Sequence, residues 1–220
     1  MVDYERLQDL LSTERLGSYL NASGGDLEGA FALYEWNIEA SAAAVSLAAM
    51  LEVLVRNTLD RQLTAWADVR DVHDWLDAAP LDARAQRDIV KARQRAARGG
   101  RQVTHGHIVA ELNLGFFWRY LVSRRYLTTL WMPNLRQAFP RADGKPHEQR
   151  RRVESDLEQL LFLRNRAAHH EPIHRRDLLA DLRRCVELAG CIDAEAQTWV
   201  ASRESVTRVV RKKPIGTRQR

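Results

Sequence analysis

Six side chains able to bind an anion or transfer a proton lie within eight consecutive residues of this sequence. They are Arg164, Asn165, Arg166, His169, His170 and Glu171. A run of apolar residues comes just before them, and polar groups beside core residues are costly unless they are paired or functional. An arginine near an apolar surface needs a carboxylate, a phosphate or an interface edge, whereas histidine exchanges protons near neutral pH. The cluster therefore predicts a site that binds an anion and moves protons.

The helix that must position these side chains is predicted from apolar residues at three- and four-residue spacing. They are Val153, Leu157, Leu160, Leu161 and Ala168. With about 100° per residue, Arg164 is expected in the middle of this apolar stripe, while Asn165 and His169 are neighbours one turn apart. The helix is expected to begin near Gln149. Pro172 disfavours helix at the residue before it, so both histidines are expected at the helix end.

The order of these residues resembles a known motif. In HEPN-domain ribonucleases an arginine is followed by a polar residue and by a histidine four to six positions after the arginine, as in Arg164, Asn165 and His169. The longer string over residues 163–173 resembles the C-terminal signature of the Abi-like family of bacterial abortive-infection proteins. Residues 33–37, 51–57 and 111–121 are also similar to Abi-like sequences, in the same order. The resemblance covers roughly residues 25–195, the size of an ordinary domain.

This resemblance implies a HEPN-like antiparallel helical bundle with additional short helices, acting as a metal-independent endoribonuclease without a cofactor. It implies a homodimer in which two motifs face one groove, and a toxin role in antiphage defence, restrained by an antitoxin RNA or protein. Proton transfer falls to His169, stabilisation of the phosphate charge to Arg164, and orientation to Asn165. Supporting or second candidates are Glu52, Arg166 and His170.

Three other interpretations compete with this one. The cluster is also consistent with a structural polar network at a helix end, or with a non-catalytic module of the same fold that binds RNA or protein. In addition, His170, Glu171 and His174 match the H-E-x-x-H pattern of zinc metallohydrolases. That pattern requires both histidines on one face of a continuous helix, and Pro172 between them opposes this. No metal site is therefore predicted.

The rest of the composition fits a cytoplasmic protein. The chain has 220 residues, 45% of them hydrophobic, which is enough for one core. We expect no membrane-spanning segment and no signal peptide, and the two cysteines imply no disulfide framework. The net charge of +5 suits a polyanionic partner, and RNA-binding candidates in a basic segment are Lys91, Arg95 and Arg98.

No stretch alternates as a strand would, so an all-α fold is predicted. Residues 1–203 are expected to form a single domain and residues 204–220 a basic flexible tail. A long helix should run from a cap at Asp26 toward Trp66. Thr104 should cap another helix, and the aromatic residues between Phe116 and Tyr120 should pack in the core. His105 and His107 are expected at the surface.

Overall fold

The computed structural model describes residues 2–100 and 102–214. It is 75% helical and has no β-strand within those residues, so the predicted all-α fold is confirmed. The described chain forms eleven α-helices: α1 (Tyr4–Leu11), α2 (Thr13–Ala22), α3 (Leu27–Val69), α4 (Trp75–Ala78), α5 (Ala83–Ala96), α6 (His105–Glu111), α7 (Leu114–Phe116), α8 (Pro146–Ala168), α9 (Leu178–Ile192), α10 (Ala194–Arg203) and α11 (Val206–Arg211). Four short π- or 3₁₀-helical segments lie between α7 and α8: Phe117–Leu121, Arg124–Tyr126, Leu127–Trp131 and Leu135–Ala138.

The described chain divides into two compact units, each built from segments far apart in sequence. Unit 1 contains residues 2–48, 162–183 and 203–214. Unit 2 contains residues 49–100, 102–161 and 184–202. Helices α3, α8 and α9 each contribute residues to both units, and α10 belongs to unit 2 except for its last residue, Arg203. The single domain expected over residues 1–203 and its HEPN-like arrangement stay predictions.

Helix α3 begins where the sequence predicted it. The Asp26 carboxylate accepts a hydrogen bond from the backbone N–H of Gly29 at 3.1 Å, which satisfies a donor that has no partner within the helix. The helix is also long and apolar enough to cross a membrane, which the sequence analysis did not anticipate: an 18-residue window has a mean hydropathy of 1.8. Because 44% of that window is buried inside the protein and core helices of soluble proteins meet the same criterion, a soluble protein remains consistent with α3.

Three of the four aromatic residues between Phe116 and Tyr120 lie in the core of unit 2, as predicted, and the fourth, Trp118, is half-buried. Phe116, Phe117 and Tyr120 are 4%, 0% and 3% exposed. The Phe116 ring meets the rings of Phe117 and Tyr120 edge to face, with centroids 5.6 and 5.2 Å apart, the geometry that aromatic quadrupoles favour. The Tyr120 hydroxyl donates a hydrogen bond to the Asp88 carboxylate at 2.9 Å. These rings therefore serve packing and are closed to stacking with a ligand.

A histidine held between two carboxylates joins three elements of unit 2. His105 is the first residue of α6, which Thr104 caps as predicted. Its Nε2 lies 2.8 Å from the Asp60 carboxylate of α3, and its Nδ1 lies 3.1 Å from the Asp74 carboxylate, which caps α4. The hydrogen bond to Asp60, supported by Asp74, raises the pKa of His105 to about 9 against the opposing effect of burial. His107 is exposed as expected, whereas His105 is half-buried, with 35% of its side chain exposed.

The tail expected from residue 204 is partly helical. Helix α11 places Val206 and Val209 in the core of unit 1, where they are 3% and 2% exposed. The buried indole of Trp36 donates a hydrogen bond to the carbonyl of Val209 at 2.8 Å. The prediction of a flexible tail was therefore wrong for residues 204–214, because a six-residue helix among many charges shows little apolar periodicity. Residues 215–220 of that tail lie outside the described residues.

Candidate functional site

The motif lies at the C-terminal end of α8 in unit 1, as predicted. The helix ends at Ala168 with two bonds that close its last turn: His170 N–H to the carbonyl of Ala167 at 3.1 Å, and Glu171 N–H to the carbonyl of Arg166 at 2.8 Å. This is the Schellman pattern, whose left-handed residue is usually glycine. Here it is His170, with φ of 57°. A non-glycine residue in this conformation is uncommon and costs backbone strain.

Replacing His170 by glycine is expected to raise the free energy of unfolding by about 1 kcal/mol. Glycine removes the contact between Cβ and carbonyl that opposes the left-handed conformation, and the exposed imidazole contributes little packing. Urea denaturation of His170→Gly and His170→Ala measures this, because alanine keeps the Cβ and should bring no gain. Equal stability of the two variants would show that the backbone of His170 carries no strain.

The buried line of α8 runs through Leu160, Leu163 and Ala167, each no more than 2% exposed. Arg164 lies about 70° from the centre of that line at 100° per residue. It is half-buried at the rim, whereas Ala168, which the sequence placed in the stripe, is exposed. Arg164 therefore does not sit in the middle of the apolar face. Its position at the rim leaves the guanidinium accessible to an anion.

The side chains of the motif spread over two sides of the helix end. Arg164 donates a hydrogen bond from Nη1 to Oδ1 of Asn165 at 3.2 Å. His169 is exposed, and its backbone N–H continues the helix by bonding to the carbonyl of Asn165 at 3.0 Å. In helical geometry His169 lies about 40° from Asn165, about 60° from Arg166 and about 140° from Arg164. Asn165 thus links Arg164 to the face that carries His169.

Arg166 is the arginine that shares the face of His169. Its Nη2 donates to the carbonyl of Pro172 at 2.9 Å, and its Nε lies 3.6 Å from the Glu171 carboxylate. The guanidinium also lies 5.6 Å from the ring centroid of Phe162. These contacts hold the first residues after α8 against the helix. Within one chain, Arg166 is therefore better placed than Arg164 to act beside His169.

The segment after the helix is fixed by residues that the sequence analysis did not assign to the site. Asn37, which is 3% exposed, accepts a hydrogen bond from the backbone N–H of Ile173 at 2.8 Å. The buried His174 ring bonds through Nε2 to the Ser18 hydroxyl at 2.8 Å, and its carbonyl accepts from Lys213 at 2.5 Å. Burial lowers the pKa of His174, with a further effect of nearby Arg175 and Lys213. His174 is therefore a neutral structural residue.

The zinc pattern does not form the helical face it requires. Residues 171–174 lie outside α8 and α9, with Pro172 between the two histidines. His170 is exposed in a left-handed conformation, while His174 is 3% exposed and bonded to Ser18. Within the described residues, no group of three or more histidine, cysteine, aspartate or glutamate side chains is placed to hold a metal ion. The geometry gives the zinc interpretation no support.

Four other candidate residues belong to unit 2. Glu52 accepts a hydrogen bond from the backbone N–H of Leu114 at 3.1 Å, at the start of α7. Lys91 lies 3.8 Å from the Asp88 carboxylate, and Arg98 is exposed. Arg95 is engaged by Glu111, through the carboxylate at 2.9 Å and the carbonyl at 2.7 Å. Among the RNA-binding candidates, Arg95 is thus occupied by a protein partner, while Lys91 and Arg98 face solvent.

Comparisons with protein families, with curated protein sequences and with solved structures gave no match for this chain. The resemblance to Abi-like and HEPN proteins therefore stays a prediction.

Proposed function

We propose that this protein is a metal-independent endoribonuclease that cleaves RNA at the end of α8. The observation that carries the proposal is the exposed His169 beside Asn165, with one arginine on either side of them on the helix. An accessible proton carrier flanked by two guanidinium groups suits a phosphodiester better than a neutral substrate. The order of the residues, which resembles that of the HEPN motif, agrees with this chemistry.

RNA can be cleaved without a metal if three requirements are met. The 2′-hydroxyl must lose its proton, the leaving oxygen must gain one, and the charge on the phosphorane must be stabilised. His169 acts as general acid or base, and Arg164 presents its planar fork to the phosphate oxygens. Asn165 orients the site through its bond to Arg164. Arg166 and His170 are second candidates. Arg166 is the stronger of the two for stabilising the phosphate charge, because it shares the face of His169.

Both histidines of the motif are exposed, but His170 lies beyond the end of α8 in the left-handed conformation, so one chain supplies only His169 on the face shared with Asn165 and Arg166. The reaction needs both a proton acceptor and a proton donor. We therefore propose a homodimer in which two motifs share one groove. A groove of about 770 Å³ in unit 1 lies beside Ala168 and His170. Its wall on α3 includes Ile38 and Val45, whose side chains are 53% and 39% exposed. Covering these apolar side chains would favour association of two copies.

The alternative function is a non-catalytic module that binds RNA or protein. It is favoured by the internal bonds of the two arginines: Arg164 is held by Asn165, and Arg166 by Pro172 and Glu171. Guanidinium groups held in this way fix a surface without performing a reaction. A role in antiphage defence, with an antitoxin RNA or protein as partner, is proposed by analogy with the Abi-like family and not from the chemistry of these side chains.

Incubation of the purified protein with total RNA and EDTA tests the proposal. Cleavage should persist in EDTA, because the motif supplies proton transfer and charge stabilisation by itself. The products should end in a 2′,3′-cyclic phosphate, and DNA should survive because it lacks the 2′-hydroxyl. A 3′-hydroxyl product or a requirement for zinc would contradict the mechanism. Binding without cleavage by pure dimer, free of any bound inhibitor, would favour the alternative.

A further inference from the structure

A second pocket of unit 1 adjoins the face of α8 that carries His169. It has a volume of about 380 Å³ and is lined by an aromatic ring, three arginines and a hydroxyl group. These are Phe162, Arg166, Arg175, Arg176 and Ser18. Phe162 and His169 are seven residues apart, so they lie within about 20° of each other and about 10 Å apart along the helix. The pocket therefore extends the candidate site along one side of α8.

Phe162 is an exposed aromatic residue that contacts two arginines. Its side chain is 48% exposed. Two guanidinium groups lie against its ring, with Arg176 5.0 Å and Arg166 5.6 Å from the centroid. Unpaired bases stack on exposed aromatic rings and on guanidinium groups, so the Phe162 ring and its two arginines are a platform for such a base. A duplex keeps its bases stacked on each other and cannot use such a platform.

The charges around the pocket leave an excess of one positive charge. Arg176 is paired with the buried Asp181 carboxylate at 2.5 and 2.8 Å, and Arg166 lies near Glu171. Arg175 is exposed and makes no ion pair within the described residues. A single positive charge beside an aromatic platform matches a nucleotide that carries one phosphodiester charge.

We propose that this pocket is a nucleotide subsite of the RNA substrate, in which one unpaired base stacks on Phe162 and its phosphate contacts Arg175. The subsite rests on the proposed function, because it holds RNA next to the cleaving motif. Arg166 links the two, since it lies against Phe162 and shares the face of His169. The subsite selects single-stranded RNA through the shape of Phe162 and not through the general positive charge of the protein.

Binding of labelled single-stranded RNA, measured by fluorescence anisotropy on the His169→Ala protein to prevent cleavage, tests the subsite. Adding Phe162→Ala should weaken binding about tenfold, the effect of losing one stacked base. Phe162→Leu should be nearly as weak because it keeps the apolar bulk without the aromatic face, and Phe162→Trp should restore binding.

Arg175→Ala should reduce the slope of log affinity against log salt by about 0.7, the value for one phosphate contact with a single strand. Arg183→Ala is the matched control, because it removes an exposed arginine of unit 1 that does not line the pocket.

The outcomes separate the subsite from the proposed function. Equal binding of RNA by the His169→Ala protein with and without the added Phe162→Ala substitution would overturn the subsite, even if the wild type cleaves RNA. Loss of affinity for single strands and duplexes alike, or an equal effect of Arg183→Ala and Arg175→Ala, would also overturn it. Binding that depends on Phe162 in a wild-type protein that cleaves no RNA would support the subsite and contradict the endoribonuclease. No binding of RNA at low salt would overturn the subsite.

Discussion

Replacing His169 by alanine is expected to slow RNA cleavage about a hundredfold or more, the usual effect of removing one general acid–base group. The imidazole is exposed, and the helix contact of this residue is made by its backbone N–H. Its removal should therefore leave the fold and the free energy of unfolding unchanged. Initial cleavage rates of a labelled RNA in EDTA measure the effect, and circular dichroism with urea denaturation verifies the fold.

The matched control for this variant is His147→Ala. His147 lies near the other end of the same helix, is also exposed, and lies 3.9 Å from the Glu148 carboxylate. The His147→Ala protein should cleave RNA at the wild-type rate. A His169→Ala protein that is as active as His147→Ala would contradict the assignment and would favour the binding module.

Arg164→Lys and Arg166→Lys separate the roles of the two arginines. Lysine keeps the charge but loses the planar fork. The lysine variant at the arginine that stabilises the phosphorane should therefore lose activity mainly in kcat. Arg166 also holds the carbonyl of Pro172, so Arg166→Lys should in addition lower stability.

If two copies build one site, mixing the inactive Arg164→Ala and His169→Ala proteins should restore part of the activity.

Sequence reasoning located the candidate site because its signals are local. A proline after an amphipathic run ends a helix, and so the placement of His169 at the helix end followed from a few residues. The position of Arg164 at the rim was not predicted from the sequence. It depends on the burial of Leu163 and Ala167, which is set by the segments that pack against α8. Asn37 and Ser18 were missed for the same reason: their partners, Ile173 and His174, are more than 130 residues away.

Tertiary contacts also explain two features of the fold that the sequence did not predict. Val206 and Val209 form too short an apolar pattern to predict a helix, and the bond from Trp36 to Val209 lies far outside any sequence window. The pairing of His105 was not predicted because its partners, Asp60 and Asp74, come from two other segments. In each case a polar or short element is stabilised by a distant partner that periodicity does not reveal.

The stability of unit 2 is expected to fall as the pH rises from about 6.5 to about 9, since His105 is held as an imidazolium between Asp60 and Asp74. The pKa of His105 is raised in the folded protein from 6.5 to about 9, so the stabilisation is fully present below about 6.5 and is lost as the pH passes about 9. His105 is 35% exposed, and solvent screening reduces the contribution to about 2 kcal/mol.

His105→Gln should therefore lose about 2 kcal/mol of unfolding free energy near neutral pH, and its stability should no longer decline across this interval. At about pH 10 the variant and the wild type should converge, because the wild-type imidazole is then neutral. Urea denaturation at a series of pH values, followed by circular dichroism, measures both. The control is His73→Gln, an exposed histidine of the same unit, which should follow the wild type throughout. A constant difference between His105→Gln and wild type at all pH values would mean that the ring contributes by packing against Trp75 and not by its charge.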